Sequence, residues 1–242
     1  MKDMRIIVDT PEALAGYAAE RYVTLLDKKP DAVIGLATGS TPLGLYGQLK
    51  KLCAERKISF RKATSFNLDE YVGLDGSHDQ SYRYFMDHNL FSGIDIDPRK
   101  TFVPSGLGDI DANAEKYEEM IGMAGGIDLQ LLGLGQNGHI GFNEPGTPLE
   151  SLTHKIELTQ NTREANARFF ASIDEVPTHA ISMGIKTVMN ARSVILIALG
   201  ENKADAVAKS VKGPIDLTVP AAVLQLHPDV TFYLDEAAAS KL

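Results

Sequence analysis

The 242-residue sequence has a single cysteine, Cys53, and it lacks long hydrophobic runs and clusters of basic residues. One cysteine excludes a disulfide framework and a cysteine zinc cluster. The N-terminal apolar run is too short for a signal peptide, and no stretch approaches the roughly 18–20 apolar residues that span a membrane. No run of lysine and arginine exceeds two residues, and the net charge is −8. We therefore expect a soluble, cytoplasmic protein that binds neither nucleic acid nor membrane.

Metal and nucleotide motifs are also missing. The six histidines, at positions 78, 88, 139, 154, 179 and 227, show neither H-x-x-x-H nor H-E-x-x-H spacing, so no metal site is predicted. No G-x-x-x-x-G-K-S/T motif occurs, which argues against a P-loop NTPase. With 44% hydrophobic and 23% charged residues, the composition is that of an ordinary globular protein.

Short apolar runs alternate with helical patterns along the chain. Six runs are predicted as strands: Arg5–Val8, Asp31–Ala37, Thr64–Leu68, Ile127–Leu132, Ser193–Leu199 and Val230–Leu234. Several are almost continuously apolar, which is typical of parallel strands buried on both faces. We expect an α/β fold in one domain over residues 1–242: an open, mostly parallel sheet with helices on both faces, Rossmann-like and three-layered. Residues around 147–190 are a candidate lid segment.

Two Thr-Pro pairs are predicted to begin helices, with Thr10 and Thr41 as N-caps before Pro11 and Pro42. Apolar residues recur every three or four positions after Pro42 and again over 204–211, which is typical of helices buried on one side. Ligands of such folds bind at the carboxyl ends of the strands. The segments that follow predicted strands are therefore the candidate sites.

The segment Leu-Ala-Thr-Gly-Ser-Thr-Pro at 36–42 follows a predicted strand and opens a helix. Gly39 permits close approach of the backbone to a ligand, and the amides of Ser40 and Thr41 lie at the positive end of the helix. The segment is either an anion-binding loop suited to phosphate or an ordinary capped turn.

Two adjacent carboxylates, Asp69 and Glu70, end the apolar run that begins at Thr64. A partly desolvated aspartate at the carboxyl end of a strand can have a raised pKa and act as a base. Taken alone, the pair favours the alternative that one of the two only caps a turn.

A glycine-rich segment follows another predicted strand. Gly133, Gly135 and Gly138 match G-x-G-x-x-G, but that fingerprint must open a helix, and the glycines and proline that follow disfavour one. We therefore reject dinucleotide binding and predict a loop that holds His139 and Glu144 near the strand ends. A carboxylate can orient an imidazole and support its charged form. The alternative is a surface loop that contains a histidine by chance.

Two cationic residues, Lys203 and Arg168, are weak evidence for a binding site when each is considered alone. Lys203 is predicted in the first turn of a helix, where the dipole disfavours a positive charge unless an anionic ligand is also present. Arg168 could clamp a phosphate through two hydrogen bonds. Each alone is better explained as a solvated or ion-paired surface residue.

These segments, taken together, resemble the glucosamine/galactosamine-6-phosphate isomerase family over nearly the whole chain. The resemblance rests on the motifs at 36–42, 67–71, 138–145 and 162–170 and on the helix opening at 200–204. The segment Gly-His-Ile-Gly-Phe-Asn-Glu-Pro at 138–145 is the most specific. Related 6-phosphogluconolactonases share its Gly-His start but lack the Phe-Asn-Glu-Pro ending.

The resemblance implies conversion of D-glucosamine 6-phosphate and water to D-fructose 6-phosphate and ammonia. It assigns acid–base assistance of ring opening to His139, positioned and tuned by Asn137 and Glu144. It assigns transfer of the C2 proton to Asp69. It implies no metal and no organic cofactor. The choice between glucosamine and galactosamine 6-phosphate depends on pocket geometry around one hydroxyl group.

The resemblance also places the substrate phosphate on the backbone of Gly39, Ser40 and Thr41, with Arg168 and Lys203 completing the clamp. It gives the individual motifs a joint role that none of them establishes alone.

Two departures from the family pattern matter. Some members have an aspartate where this chain has Asn137; an amide cannot supply charge, so Glu144 is the expected charge partner of His139. Hexameric members are activated by N-acetylglucosamine 6-phosphate through an arginine and a lysine at positions that hold His154 and Ile156 here. We expect no such activation, and we favour a monomer over a homo-oligomer.

Two alternative functions are also consistent with parts of the sequence. A sugar-phosphate lactonase of the same superfamily would use His139 as a base on water and would not need Asp69. A sugar-phosphate-sensing module of a transcriptional regulator would carry an additional helix-turn-helix domain, for which the sequence before the first predicted strand leaves no room.

Overall fold

The protein is described by a computed structural model that covers residues 4–167, 170 and 172–242. Within these residues the strands are β1 (Arg5–Val8), β2 (Val33–Leu36), β3 (Thr64–Asn67), β4 (Asp69–Tyr71), β5 (Thr101–Phe102), β6 (Leu129–Leu132), β7 (His154–Glu157), β8 (His179–Ser182), β9 (Val194–Ala198) and β10 (Val230–Leu234). The α-helices are α1 (Pro11–Lys28), α2 (Leu43–Ala54), α3 (Tyr82–Asn89), α4 (Ile110–Met123), α5 (Gln160–Asn166), α6 (Ile185–Met189), α7 (Ala204–Lys212) and α8 (Glu236–Ala239).

The main sheet has seven strands in the order β1-β10-β9-β6-β2-β3-β5, and every pair in it is parallel. The six predicted strands all lie in this sheet, and the predicted α/β fold class is confirmed. Four of them, β2, β6, β9 and β10, are buried along their whole length, as their nearly continuous apolar sequences predict. The two-residue β5 was not predicted, because two residues carry no periodic signal.

A second sheet of three antiparallel strands, in the order β4-β8-β7, was also not predicted. Its first strand begins two residues after β3 ends, so the sequence pattern does not separate the two. The exposed strand β7 alternates charged and less polar residues over only four positions. Leu68 joins the sheets, because its N–H donates to Leu36 O (3.0 Å) and its carbonyl accepts from Met183 N (2.7 Å).

The helix starts follow the predicted capping chemistry at one of the two Thr-Pro pairs. Thr10 caps α1, with its hydroxyl accepting from Ala13 N at 3.3 Å. The prediction of Thr41 as the N-cap of α2 is wrong. Pro42 occupies that position with helical φ and ψ of −77° and −7°, and no side chain caps the helix. A turn in which Leu43 N donates to Ser40 O (3.3 Å) delays the helix start by one residue.

The helices of the described ranges pack their apolar faces on the sheet, and none of them is long and apolar enough to cross a bilayer. Tyr22 of α1 and Tyr46 of α2 are both fully buried in the main core. The strand order places β2 between β6 and β3. Since parallel strands lie about 4.8 Å apart, the three segments that leave the carboxyl ends of β6, β2 and β3 are neighbours.

Candidate active site

Asp69 lies on β4, directly after the chain leaves the carboxyl end of β3, opposite Ser182 of β8. Its side chain is buried, and no donor among the described residues bonds its carboxylate. Burial raises the pKa of Asp69 to about 8, and the neighbouring charge of Glu70 adds to the shift. A carboxyl group in this state gains or loses a proton near neutral pH, as a proton-transfer residue must.

The neighbouring Glu70 has a structural role. This was the alternative stated for one of the two adjacent carboxylates, Asp69 and Glu70. Its carboxylate accepts the N–H groups of Tyr71 (2.9 Å), Tyr82 (2.8 Å) and Arg83 (3.0 Å), and so holds the start of α3. The two adjacent carboxylates therefore differ in environment: hydrogen bonds hold one, and the other is left without donors.

The glycine-rich segment after β6 forms a compact loop and not a helix. Gly135 N donates to His139 O at 2.9 Å, and Gly138 N donates to Gly135 O at 3.0 Å. The His139 ring lies against the α-carbon of Gly135, where a Cβ would stand 2.3 Å from the ring. Residue 135 must therefore be glycine for the His139 ring to lie in this place. No helix begins in this segment of the described chain, whereas a dinucleotide-binding fingerprint opens one.

His139, Asn137 and Glu144 form one group within this loop. Asn137 Oδ1 accepts the His139 N–H at 3.2 Å, and Asn137 Nδ2 donates to Glu144 Oε2 at 2.6 Å. Glu144 Oε2 lies 3.6 Å from His139 Nδ1. This is an ion-pair distance just beyond hydrogen-bond range, and that ring nitrogen is buried without another partner in the described structure. The amide thus bridges the backbone of the histidine and the carboxylate.

Glu144 is held in its charged form. Burial alone would raise its pKa, but the His139 ring 3.6 Å away and the hydrogen bonds from Thr162 and Asn137 outweigh burial and lower the pKa of Glu144 to about 2. Its second oxygen, Oε1, accepts from the hydroxyl of Thr162 at 2.5 Å and from that of Thr159 at 3.5 Å. Glu144 therefore remains a carboxylate at every pH at which the protein is expected to work.

These two threonines were not predicted as site residues. Thr159 caps α5 and Thr162 lies in its first turn, within the candidate lid segment. Thr162 opens one of the motifs that carry the resemblance, but nothing in the spacing links it to Glu144, 18 residues earlier.

Ser182 and Asn143 fix the loop against β4 and β8, and neither was predicted. Ser182 Oγ accepts from Phe142 N at 3.2 Å, and Asn143 Nδ2 donates to Ile140 O (2.9 Å) and Met183 O (2.8 Å). A Cβ on Gly141 would stand 3.5 Å from Asp69 Oδ2. The histidine-bearing loop therefore packs directly against the buried aspartate.

The segment Thr38–Thr41 leaves the carboxyl end of β2, which lies between β6 and β3 in the main sheet. Gly39 adopts a φ of +96° that favours glycine. Within the described ranges, the amides of Thr38, Gly39, Ser40 and Thr41 donate no hydrogen bond. Free amides before a helix form a ready anion site.

Lys203 follows β9, the neighbour of β6, and lies one residue before α7. Its side chain is partly buried and has no ion-pair partner in the part of the chain that the structure describes. Burial lowers the pKa of this lysine. Arg168, the second predicted cation, lies outside the described residues.

Comparison with known proteins shows which family this chain belongs to. The family model described as glucosamine-6-phosphate isomerases/6-phosphogluconolactonase matches residues 9–232. The chain belongs to this family. A glucosamine-6-phosphate deaminase of Hahella chejuensis is 51% identical over 240 residues, 99% of this chain and 92% of that protein. One of Clostridium botulinum is 48% identical over 238 residues, 98% of each. A solved structure of a monomeric glucosamine-6-phosphate deaminase has 44% identity and a TM-score of 0.96, and covers 99% of this chain and 100% of that one.

The family assignment confirms the resemblance seen in the motifs. The segments at 36–42, 67–71 and 138–145 that resemble the glucosamine-6-phosphate isomerase family are the ones that meet at the carboxyl edge of the sheet. Within the described residues, no three His, Cys, Asp or Glu side chains are grouped as metal ligands would be.

Proposed function

We propose that this chain converts D-glucosamine 6-phosphate and water to D-fructose 6-phosphate and ammonia, a hydrolase by net reaction. The observation that carries the proposal is the buried Asp69 carboxylate, which has no hydrogen-bond donor among the described residues and packs against the His139 loop. A desolvated carboxylate is a stronger base than one in water. The curated relatives are named as deaminases of this substrate, which supports the same reaction here.

In the first step His139 opens the sugar ring by moving a proton between the anomeric hydroxyl and the ring oxygen. An imidazole suits this step because it accepts and donates protons near neutral pH. The charged Glu144 beside Nδ1 stabilises the imidazolium form, and Asn137 orients the loop that carries the ring. Asn137 thus acts through position, and Glu144 supplies the charge.

In the second step Asp69 takes the proton from C2, which gives an enolamine, and returns it to C1. Protonation at C1 leaves an iminium group at C2, and its hydrolysis gives the C2 ketone of fructose 6-phosphate and releases ammonia. The C2 proton is acidic because it neighbours a carbonyl or iminium carbon. The protonated amine of the bound substrate favours the ionised form of Asp69, because an adjacent positive charge lowers a carboxyl pKa. Each well-placed proton transfer contributes about 10²–10⁴-fold to the rate.

The phosphate of the substrate binds the free amides of Gly39, Ser40 and Thr41. Lys203, which lacks an ion-pair partner among the described residues, supplies a positive charge from two strands away in the sheet. Arg168 completes the clamp in this proposal, on the strength of the family motif alone. Binding at this end leaves C1 and C2 to Asp69 and His139.

The chain forms one catalytic domain over residues 1–242, and the family model that matches residues 9–232 supports this. The segment 147–190 acts as a lid, and contact between Thr162 and Glu144 supports this assignment. A monomer without activation by N-acetylglucosamine 6-phosphate is supported by the monomeric relative and by His154 and Ile156 on β7. A cytoplasmic location fits a charged substrate that does not cross membranes unaided.

The test is product analysis with purified protein and glucosamine 6-phosphate, without added metal. We expect ammonia and fructose 6-phosphate in equal amounts, and loss of activity by about 10²–10⁴-fold in Asp69→Asn. Asp79→Asn makes the same chemical change on an exposed side chain and should retain full activity. Addition of N-acetylglucosamine 6-phosphate should leave the initial rate unchanged.

Other outcomes would redirect the assignment. Turnover of galactosamine 6-phosphate alone would change the substrate and keep the mechanism. Hydrolysis of 6-phosphogluconolactone that survives Asp69→Asn would identify a lactonase that uses His139 as its base. Binding of glucosamine 6-phosphate without turnover would indicate a sensing module.

A further inference from the structure

Tyr46 of α2 makes an unusual pair of hydrogen bonds to one residue. Its hydroxyl donates to Ala37 O at 2.5 Å and accepts from Ala37 N at 3.3 Å. The side chain is fully buried in the main core. A single hydroxyl therefore satisfies both main-chain groups of the same residue, nine positions earlier in the chain.

Ala37 is the first residue beyond β2, at the point where the sheet ladder ends. The parallel register with β3 extends to Leu36 and Asn67. Ala37 is itself buried, and buried main-chain groups must find partners because unpaired ones are costly. The tyrosine hydroxyl supplies at Ala37 the partner that a neighbouring strand supplies elsewhere along β2.

The residues that follow Ala37 are those with free amides. Tyr46 lies on the helix that begins after them, and its own N–H donates to Pro42 O at 2.9 Å. The Tyr46–Ala37 contact thus closes a loop from the end of β2 to the first turns of α2. It sets the distance and direction between the two ends of the segment Thr38–Pro42.

We propose that Tyr46 is a positioning residue that aims the amides of Gly39, Ser40 and Thr41 at the substrate phosphate. The inference rests on the proposed function, because it takes this loop to be the phosphate site. The phosphate is remote from the C1 and C2 atoms, so misdirected amides weaken ground-state and transition-state binding together. Loss of such uniform binding raises KM and leaves kcat nearly unchanged.

The fold offers a matched control in Tyr22 of α1. This tyrosine is also fully buried in the same core, but its hydroxyl has no hydrogen-bond partner among the described residues. Tyr22→Phe and Tyr46→Phe each remove one oxygen atom from a buried ring. Only the second removes a contact to the loop.

The experiment measures kcat and KM for glucosamine 6-phosphate and the competitive inhibition constant of inorganic phosphate in wild type and both variants. In Tyr46→Phe we expect KM and the phosphate inhibition constant to rise together by about three- to tenfold, the size of one hydrogen bond, with kcat within about twofold. In Tyr22→Phe all three constants should stay within about twofold. Thermal unfolding confirms that each protein is folded at the assay temperature.

Several results would overturn the inference: unchanged constants in Tyr46→Phe, a loss confined to kcat, or the same change in Tyr22→Phe. The upward shift of the unfolding temperature by inorganic phosphate separates the two proposals. If phosphate raises the unfolding temperature of wild type but wild type does not turn over the substrate, the proposed reaction is contradicted. The role of Tyr46 then depends on whether phosphate raises the unfolding temperature of Tyr46→Phe by less than that of wild type, as we expect. If wild type is neither stabilised by phosphate nor able to turn over the substrate, both the assignment of the phosphate-binding loop and the role of Tyr46 are overturned.

Discussion

Replacement of Asp69 by asparagine should change how the stability of the protein depends on pH. The pKa of Asp69 is raised from an ordinary value of 3.8 to about 8 in the folded protein, chiefly by burial. The folded state therefore keeps a proton that the unfolded state has lost between these two values. Stability from this group is fully present below pH 3.8 and is lost as the pH rises through about 8.

The magnitude follows from the size of the shift. A difference of about four pKa units, at about 1.4 kcal/mol each, corresponds to about 6 kcal/mol over the whole range. Between pH 5 and pH 7 the loss is about 3 kcal/mol. The asparagine of the variant would be neutral at every pH, so its own cost, including an unpaired amide, is an offset that does not vary with pH.

The assay is urea unfolding of wild type and Asp69→Asn at pH 5, 6, 7 and 8, with Asp79→Asn as the exposed control. The free energy of unfolding of wild type should fall relative to Asp69→Asn by about 1.4 kcal/mol per pH unit over pH 5–7. The difference between wild type and Asp79→Asn should stay nearly constant. A constant difference for Asp69→Asn, or one of opposite slope, would refute a buried and protonated Asp69.

Four further predictions concern activity. The kcat/KM of wild type should fall about tenfold per pH unit below about pH 8 in a pH–rate profile, because Asp69 must be ionised in the free enzyme. Glu144→Gln should lower kcat by about 10²-fold in steady-state assays, since an amide cannot support the imidazolium form of His139, whereas an unchanged kcat would exclude Glu144 as the charge partner. Gly135→Ala should lower kcat/KM by about 10²-fold because the new Cβ displaces the His139 ring, and the circular dichroism spectrum should be unaltered. Full activity would mean that the ring can be displaced without loss of function. Lys203→Met should raise KM about tenfold and change kcat little, and an unaltered KM would remove this lysine from the phosphate site.

Much of the main sheet could be predicted because four of its strands, β2, β6, β9 and β10, are buried on both faces. β9 and β10 are almost continuously apolar, and such runs carry a strong local signal. The small sheet could not be predicted: β4 continues the apolar run of β3 with a single residue between them, and β7 is short and half exposed. The start of α2 was misplaced by one residue because Pro42 takes the cap position without a capping side chain.

The site was predictable where a motif is local and unpredictable where the fold brings distant residues together. Asn137, His139 and Glu144 lie within eight positions and share one loop, so their proximity follows from the sequence. Thr162 reaches Glu144 from α5 only through the tertiary fold. The contrast between Asp69 and its neighbour Glu70 also depends on tertiary structure, because the start of α3 provides donors for one carboxylate and none for the other.

The central claim is that Asp69 moves the C2 proton of glucosamine 6-phosphate. The most direct measurement follows deuterium placed at C2 of this substrate through the reaction in ordinary water, by mass spectrometry and NMR of the product. The account predicts that wild type turns over the labelled substrate more slowly than the unlabelled one, and that the label is divided between C1 of fructose 6-phosphate and the solvent, because a proton held on a carboxyl group can exchange. Asp69→Asn should release almost no label from C2. Equal rates for labelled and unlabelled substrate, together with label release by Asp69→Asn as fast as by wild type, would contradict the claim.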